Sequence, residues 1–546
     1  MSHMRIFVAG CILFPVCTIL AQPIAFISNP PGPVSVIDLA AKRVLASIEL
    51  HSKAGEGMSI SPDGRRLYVT EDDGLAVVDV TSYAVEHIYL GAPARDVAVS
   101  PDGRKVYLQV SSPETTKLLV IDAATGRTLS TIPVALFGWR LIFAPDGRRL
   151  YHFEYNASSY RLTVIDTTID QIVDQIDGTG RYAGGGAISP DGSYALVGMC
   201  GNLEAIETAT LHKVRDIGLS QEDCAGAIAV SWDGTRAYVT GETLLDTIEI
   251  VDLKAFRTIG SIEGPVCGED DLAITQDGRT LWALGYHCLS EVDLASNQVS
   301  NLWKDLPGYW RIALPPDPPT LADVPLRNGA AFGPRVARGS LASVFGTGLA
   351  RGVQSATALP LPNTLLDTAV KINGAPAPLA FVSAGQINLQ IPWEAPPGPA
   401  VLQVTRGSYS SETRTIMIDD IAPGIFVIDA SGGWGVTHAD SGRLVTGQDP
   451  AIAGEVIKIF ATGLGPLKEP VASGVAPGRA IETVSPAQVT LGAVTAETMY
   501  AGASPEYPGL YQINARVAPN TPHGAVVPVV VTASGTQSNV VNASVR

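Results

Sequence analysis

The chain has 546 residues, with 53 acidic against 37 basic side chains and a formal charge of −16. No Lys/Arg run interrupts that excess, so a phosphate backbone would be repelled and nucleic acid is a poor partner class. Charged residues are only 16% of the chain, against 55 glycines and 39 prolines, a balance suited to short strands and many turns in an all-β protein of more than one domain.

At the start, Arg5 precedes an apolar run from Ile6 to Ala21 that closes on Ile19-Leu20-Ala21, which reads as a secretory signal peptide over residues 1–21. Val8-Ala9-Gly10-Cys11 has the letters of a lipoprotein box, but only two apolar residues, Ile6 and Phe7, stand between Arg5 and it. A signal peptide without lipid is therefore the expectation. No later stretch reaches the 18 or so uninterrupted apolar residues of a membrane helix. The reading is a secreted, extracellular or cell-surface protein, with the periplasm as the other compartment.

From residue 22 onward a unit repeats. A strand ending in an acid occurs seven times, as VSVIDL at Asp38, LAVVDV at Asp79, LLVIDA at Asp122, LTVIDT at Asp166, LEAIET at Glu207, IEIVDL at Asp252 and LSEVDL at Asp293, spaced 41 to 45 residues apart. In phase with it run the turns Ser61-Pro62-Asp63-Gly64, Ser100-Pro101-Asp102-Gly103, Ala144-Pro145-Asp146-Gly147, Ser189-Pro190-Asp191-Gly192, Ser231-Trp232-Asp233-Gly234 and Thr275-Gln276-Asp277-Gly278. Pro presets φ, Asp bonds its own backbone and Gly takes positive φ, so these aspartates are structural. Four strands at this period predict a seven-bladed β-propeller over residues 22–318, since a lone blade cannot bury both faces. The repeat begins in mid-unit and ends after one strand, Tyr309 to Leu314, so that strand is expected to pair with Ala25-Phe26-Ile27-Ser28 and close the ring.

The stretch LYVTEDDGLAVVDV (Leu67 to Val80) and AYVTG (Ala237 to Gly241) resembles the YVTN family of seven-bladed propellers. The resemblance implies the fold, in a family found in secreted and surface proteins whose propellers look like those of some lactonases and periplasmic reductases. Fold does not transfer those activities.

Cys200, Cys224, Cys267 and Cys288 lie beyond the leader. All four map to the propeller face opposite the Asp-Gly turns, so bridges Cys200 to Cys224 and Cys267 to Cys288 suit an oxidising compartment, although sequence alone permits three pairings. With no CxxC pair and eight histidines scattered along the chain, no metal site and no cofactor are expected.

The proline-rich run around Pro315 to Pro319 is read as opening a stiff linker over residues 319–330. Beyond it comes a twofold repeat: RGSLASVFGTGL (Arg338 to Leu349) returns as AGEVIKIFATGL (Ala453 to Leu464), and Gln386-Ile387-Asn388 as Gln512-Ile513-Asn514. Two Ig-like β-sandwiches are expected, over residues 331–427 and 428–546. Residues 328–546, with Trp393-Glu394, Ala422 to Phe426 and Gly509 to Asn514, resemble the C-terminal domain family first described from Solibacter. Each half is similar to IPT/TIG-type Ig-like domains. That resemblance implies an acidobacterial-type exported protein, in which the module serves as spacer or interaction surface and carries no catalytic residue.

No HExxH, GxSxG or P-loop occurs. Function in a propeller must come from what differs between blades at the axis. There the inner strands bring Glu56, Arg95, Asp96, Trp139, Arg140, Asp270, Asp271, Trp310 and Arg311, read as a polar, aromatic-lined funnel with Arg140 and Arg311 as bidentate donors to an anionic or carbohydrate-like ligand. The competing reading is an internally salt-bridged channel mouth. Glu71-Asp72-Asp73 and Glu269-Asp270-Asp271 read as solvated acidic loops and not as Ca²⁺ sites. The sequence thus favours a non-enzymatic binding or cell-surface interaction protein with a protein, carbohydrate or small anionic partner. A lactonase-like or oxidoreductase-like enzyme and a structural envelope protein are the alternatives.

Overall fold

A computed structural model describes residues 24–112, 115–134, 137–155, 159–179, 182–219, 224–241, 247–264, 267, 270–306, 310–427 and 435–546. The expected signal peptide, the lipoprotein-box letters and Glu269 lie outside them. The described residues are all-β, and among them no helix is long and apolar enough to cross a membrane.

Seven four-stranded antiparallel sheets form the ring. Their innermost strands are Ile312–Ala313 in blade 1, Ala54–Ile60 in blade 2, Ala94–Val99 in blade 3, Phe137–Phe143 in blade 4, Tyr182–Ile188 in blade 5, Ala225–Val230 in blade 6 and Asp271–Ile274 in blade 7. Blade 1 is built from both ends of the repeat. Phe26 pairs with Ala313 and Ile27 with Ile312, so the closure expected from the phase of the repeat is present. Apolar clusters between neighbouring sheets hold the ring, as where Phe26, Val34 and Val36 of blade 1 meet Leu67, Val69 and Ala76 of blade 2. A blade buried on both faces reads as near-continuous apolar strands, which is why the VID segments show little alternation.

The recurring acids behave as the turn chemistry requires. Asp79 accepts from the Thr81 and Ser82 amides at 3.0 and 2.7 Å, and Asp252 from Lys254 and Ala255 at 2.8 and 2.9 Å. These bonds hold both carboxyls below their ordinary range.

After the ring, the segment read as a linker is instead occupied by the strand Thr320–Asn328, paired with Leu341–Thr347. The prolines stop at Pro319, and Leu321, Leu326 and Asn328 turn inward, enough alternation to extend the chain into a sheet. Two sheets then enclose one core built on Val344, Val370, Ile387, Leu402 and Val404. The last part of the chain encloses a second core on Ile457, Ile459, Val489, Ile513 and Val531, and Gly424–Ile425 already pairs into its sheet. The internal repeat extends to single bonds. Gln386 Nε2 donates to Asn388 at 2.6 Å and Gln512 Nε2 to Asn514 at 2.7 Å. Val404 N reaches Ser411 Oγ at 3.0 Å and Val531 N reaches Ser538 Oγ at 3.1 Å.

The first of these sandwiches is seated on the Asp-Gly turn face of the propeller. Arg351 donates to the Pro62 carbonyl, Tyr409 Oη to the Asp63 carbonyl at 2.6 Å and Val353 N to the Pro190 carbonyl at 2.9 Å. Fully buried Arg406 donates to Gln276 Oε1 at 2.9 Å and to the Asp317 carbonyl. Burial and the neighbouring Arg351 bring Arg406 down to about 10, still charged at neutral pH.

Candidate axial site

The opposite face carries the cysteines, bonded as Cys200–Cys224 and Cys267–Cys288. The first bridge fastens the end of blade 5's second strand to the start of blade 6, and the second lies within blade 7. On this face the inner strands begin, with the nine candidate residues at their starts.

Two layers separate. In the deeper one, Asp96, Arg140, Asp271 and Arg311 occupy equivalent positions in blades 3, 4, 7 and 1. Each aspartate accepts from the inner strand of the following blade: Asp96 from Leu141 N at 2.6 Å and Asp271 from Ile312 N at 3.1 Å. The arginines cross the axis. Arg140 of blade 4 donates to Asp271 of blade 7 at 2.5 Å, and Arg311 of blade 1 reaches the Trp139 carbonyl of blade 4 at 3.4 Å. Burial pushes the Asp96 carboxyl up, against the pull of Arg311 and Arg140. Burial and the like charge of Arg140 lower Arg311, against Asp271, Asp96 and Glu56. Arg311 is 8% exposed, and its Nε has no acceptor among the described residues. These four side chains therefore brace opposite walls of the ring. Arg140 and Arg311, expected as donors to an anion, make these bonds to an internal acid and to a main-chain carbonyl, with two aspartates at the same depth.

The room for the brace comes from small residues. Blade 2 has Gly57 at the equivalent position, where an added methyl would lie 2.6 Å from Asp96 Cα, so blades 2 and 3 approach as only glycine permits.

The outer layer holds Glu56, Arg95, Trp139, Asp270 and Trp310, all short of full burial. Glu56 and Arg95 form an ion pair at 3.6 Å. Burial raises the Glu56 carboxyl, opposed by Arg95 and Arg311. The indoles of Trp139 and Trp310 lie 6.3 Å apart, and Tyr155, at the end of blade 4's second strand, stacks on Trp139 at 5.8 Å. Tyr155 was not singled out from sequence, because its strand end carries no repeat signature. Trp310 has φ 106°, a region a bulky L-residue occupies only when its surroundings force it there, at a cost of about 1–3 kcal/mol. Such strain concentrates at ligand clamps and switches. Counted over both layers, four acids face three arginines, so the mouth is close to neutral and carries an aromatic platform.

Over 125 residues, 22% of this chain and 32% of that protein, the sequence is 29% identical to the seven-bladed β-propeller protein Rv1057 of Mycobacterium tuberculosis. The chain is homologous to a seven-bladed propeller, and the match spans about a third of that relative's length. No family model matches. Similar solved structures include a functionally unknown protein from Desulfotomaculum acetoxidans, at 16% identity over 54% of this chain and 100% of that chain with a TM-score of 0.46. Hydrazine synthase of Kuenenia stuttgartiensis aligns at 20% identity over 54% of this chain and 99% of that chain with a TM-score of 0.43.

Proposed function

We propose that the protein is an exported, non-enzymatic binding or cell-surface interaction protein whose propeller takes a neutral, carbohydrate-like ligand at the axial mouth. In this reading residues 331–427 and 428–546 are Ig-like modules of the Solibacter-associated kind that carry the propeller by its turn face and leave the cysteine-bearing face outward.

The observation that carries the proposal is the Trp139–Trp310–Tyr155 cluster above a charge-neutralised brace. Indole faces bury the apolar faces of sugar rings, while Glu56, Arg95 and Asp270 supply rim hydrogen bonds. An anion is the weaker fit, since each arginine of the deeper layer already faces an aspartate.

The test is titration of the purified chain with neutral and anionic oligosaccharides, read by tryptophan fluorescence and calorimetry. Neutral glycans are expected to bind, with Trp139→Ala or Trp310→Ala weakening them at least tenfold. Binding indifferent to both substitutions, binding of anions alone, or turnover of lactones by the purified protein would overturn the reading.

A further inference from the structure

Two of the eight histidines, isolated in the sequence, meet in space. His51, in the loop leading into blade 2, stacks on His87 of that blade's outermost strand, Val85–Tyr89, with ring centroids 4.4 Å apart. Between them comes Asp73, in the hairpin joining the second and third strands. One ligand atom from each of His51, Asp73 and His87 falls within 4.8 Å of the others.

A fourth residue organises the three. Glu71 is fully buried, and its Oε1 accepts from the backbone amides of His51 and Ser52 at 2.8 and 3.0 Å. Its Oε2 takes the Nδ1 of His87 at 2.5 Å. A carboxylate can only accept here, so Nδ1 is the donor of this bond, and in the neutral ring Nε2 is the nitrogen that carries the lone pair. That Nε2 is buried, without a hydrogen-bond partner among the described residues, and 3.8 Å from Asp73 Oδ1. Asp73 is held in turn by the Ser52 hydroxyl at 2.5 Å. An imidazole fixed by a carboxylate on one nitrogen and left open on the other is the arrangement that surrounds protein-bound metal ions.

We propose that His51, Asp73 and His87 bind a divalent first-row transition ion, zinc foremost, with Glu71 as the residue that orients the ligands. Two imidazoles and one carboxylate are the donor set such ions prefer, and three protein ligands leave a fourth position for water. Tetrahedral coordination at about 2.0–2.1 Å places ligand atoms about 3.3 Å apart. His51 is exposed, so its ring has room to turn off the His87 face toward an ion. Calcium does not suit the site, because the Glu71 oxygens are taken by N–H groups.

The location adds a reason for a fastening here. In blade 7 the corresponding loop and hairpin are tied by Cys267–Cys288. In blade 2 the position equivalent to Cys288 is Gly74, where an added methyl would come within 2.1 Å of the Ile88 carbonyl and 3.2 Å of the His87 ring. No disulfide fits that space, and the tie falls to the His–Asp–His cluster.

The experiment uses the full chain without an affinity tag, stripped with a chelator and titrated with Zn²⁺, and separately with Co²⁺ followed by visible absorption. One ion per chain and a tetrahedral Co²⁺ spectrum are expected. His87→Ala and the exposed-site variant His51→Ala should each weaken binding at least a hundredfold, and Glu71→Gln by about ten- to a hundredfold. No ion bound by the parent chain, or an affinity unchanged in His51→Ala, whose fold is not in question, would overturn the proposal.

Discussion

The hydroxyl of Tyr409 donates to the main-chain carbonyl of Asp63 at 2.6 Å across 346 residues of sequence. It ties a hairpin of the first sandwich to the turn of blade 2. Gly64, next to it, has φ 66° and would bring any added methyl within 2.2 Å of that hydroxyl. The propeller and the module after it are therefore docked, and not merely strung together.

Loss of one such hydrogen bond costs about 0.5–1.5 kcal/mol, and of one to a charged donor about 1.5–3 kcal/mol. Tyr409→Phe is expected to loosen the docking slightly and Arg351→Ala more, seen as faster proteolytic cutting near residues 315–320 and a lower melting temperature. Unchanged cutting in the double variant would show that other contacts carry the interface.

The brace across the axis makes a second prediction. Asp271→Asn keeps an acceptor for Ile312 N but removes the charge facing Arg140. Arg140 is 24% exposed, so the loss is that of a charged hydrogen bond, about 1.5–3 kcal/mol, and urea denaturation should show a drop of that order. Adding Arg140→Met should recover more than half of it. A single variant within about 0.5 kcal/mol of the parent, the usual range of surface changes, would mean that the pair is not energetically buried.

In the last part of the chain, His438 faces Glu455 through Nδ1 and the Asp449 carbonyl through Nε2 at 3.2 Å, with Arg443 on the other side of Asp449 at 3.1 Å. Burial opposes its charge, but the Glu455 bond, the Asp449 carbonyl and the two carboxylates outweigh it and raise His438 above 6.5. A raised value means that protonated His438 adds stability in full below pH 6.5, and that this is lost as pH rises through the folded-state value. Melting temperatures of the parent and of His438→Gln should thus differ most in mildly acidic buffer and converge in alkaline buffer. A difference that grows with pH would contradict the assignment.

The cystines divide the labour. Cys200–Cys224 spans 24 residues and joins two blades, whereas Cys267–Cys288 spans 21 within one. Loops of this size are each worth about 3 kcal/mol. Replacing Cys200 and Cys224 by serine should lower the denaturant midpoint accordingly and speed exchange of the blade 6 inner-strand amides. Peptide mapping without reductant should recover the same two pairs.

Much of this was legible because periodicity is a one-dimensional signal. The spacing of Asp38 to Asp293 counted the blades, and the phase of the repeat located the closing pair Phe26 and Ala313. Loop position favoured, among the three pairings that sequence permits, the two bridges found. What stayed hidden is pairing across the ring. Arg140 and Asp271 lie 131 residues apart, and an inner-strand position says that a side chain nears the axis, not which opposite wall it meets. The same holds for His51 and His87, each isolated in sequence and joined only because Glu71 folds one loop against the outermost strand. Thr320–Asn328 was missed because its alternation is imperfect and follows a run of prolines.

Blade 1 takes its innermost strand, Ile312–Ala313, from the far end of the repeat and its other three from the beginning. During synthesis, blades 2 to 7 can each complete as the chain lengthens, but Ile24–Ile27 must wait with one edge unpaired until residue 313 is available. The strand made last is the latch of the ring. A nascent chain stopped before it would present an apolar edge to proteases and to other chains, so residue 313 sets the shortest length at which the propeller is self-contained.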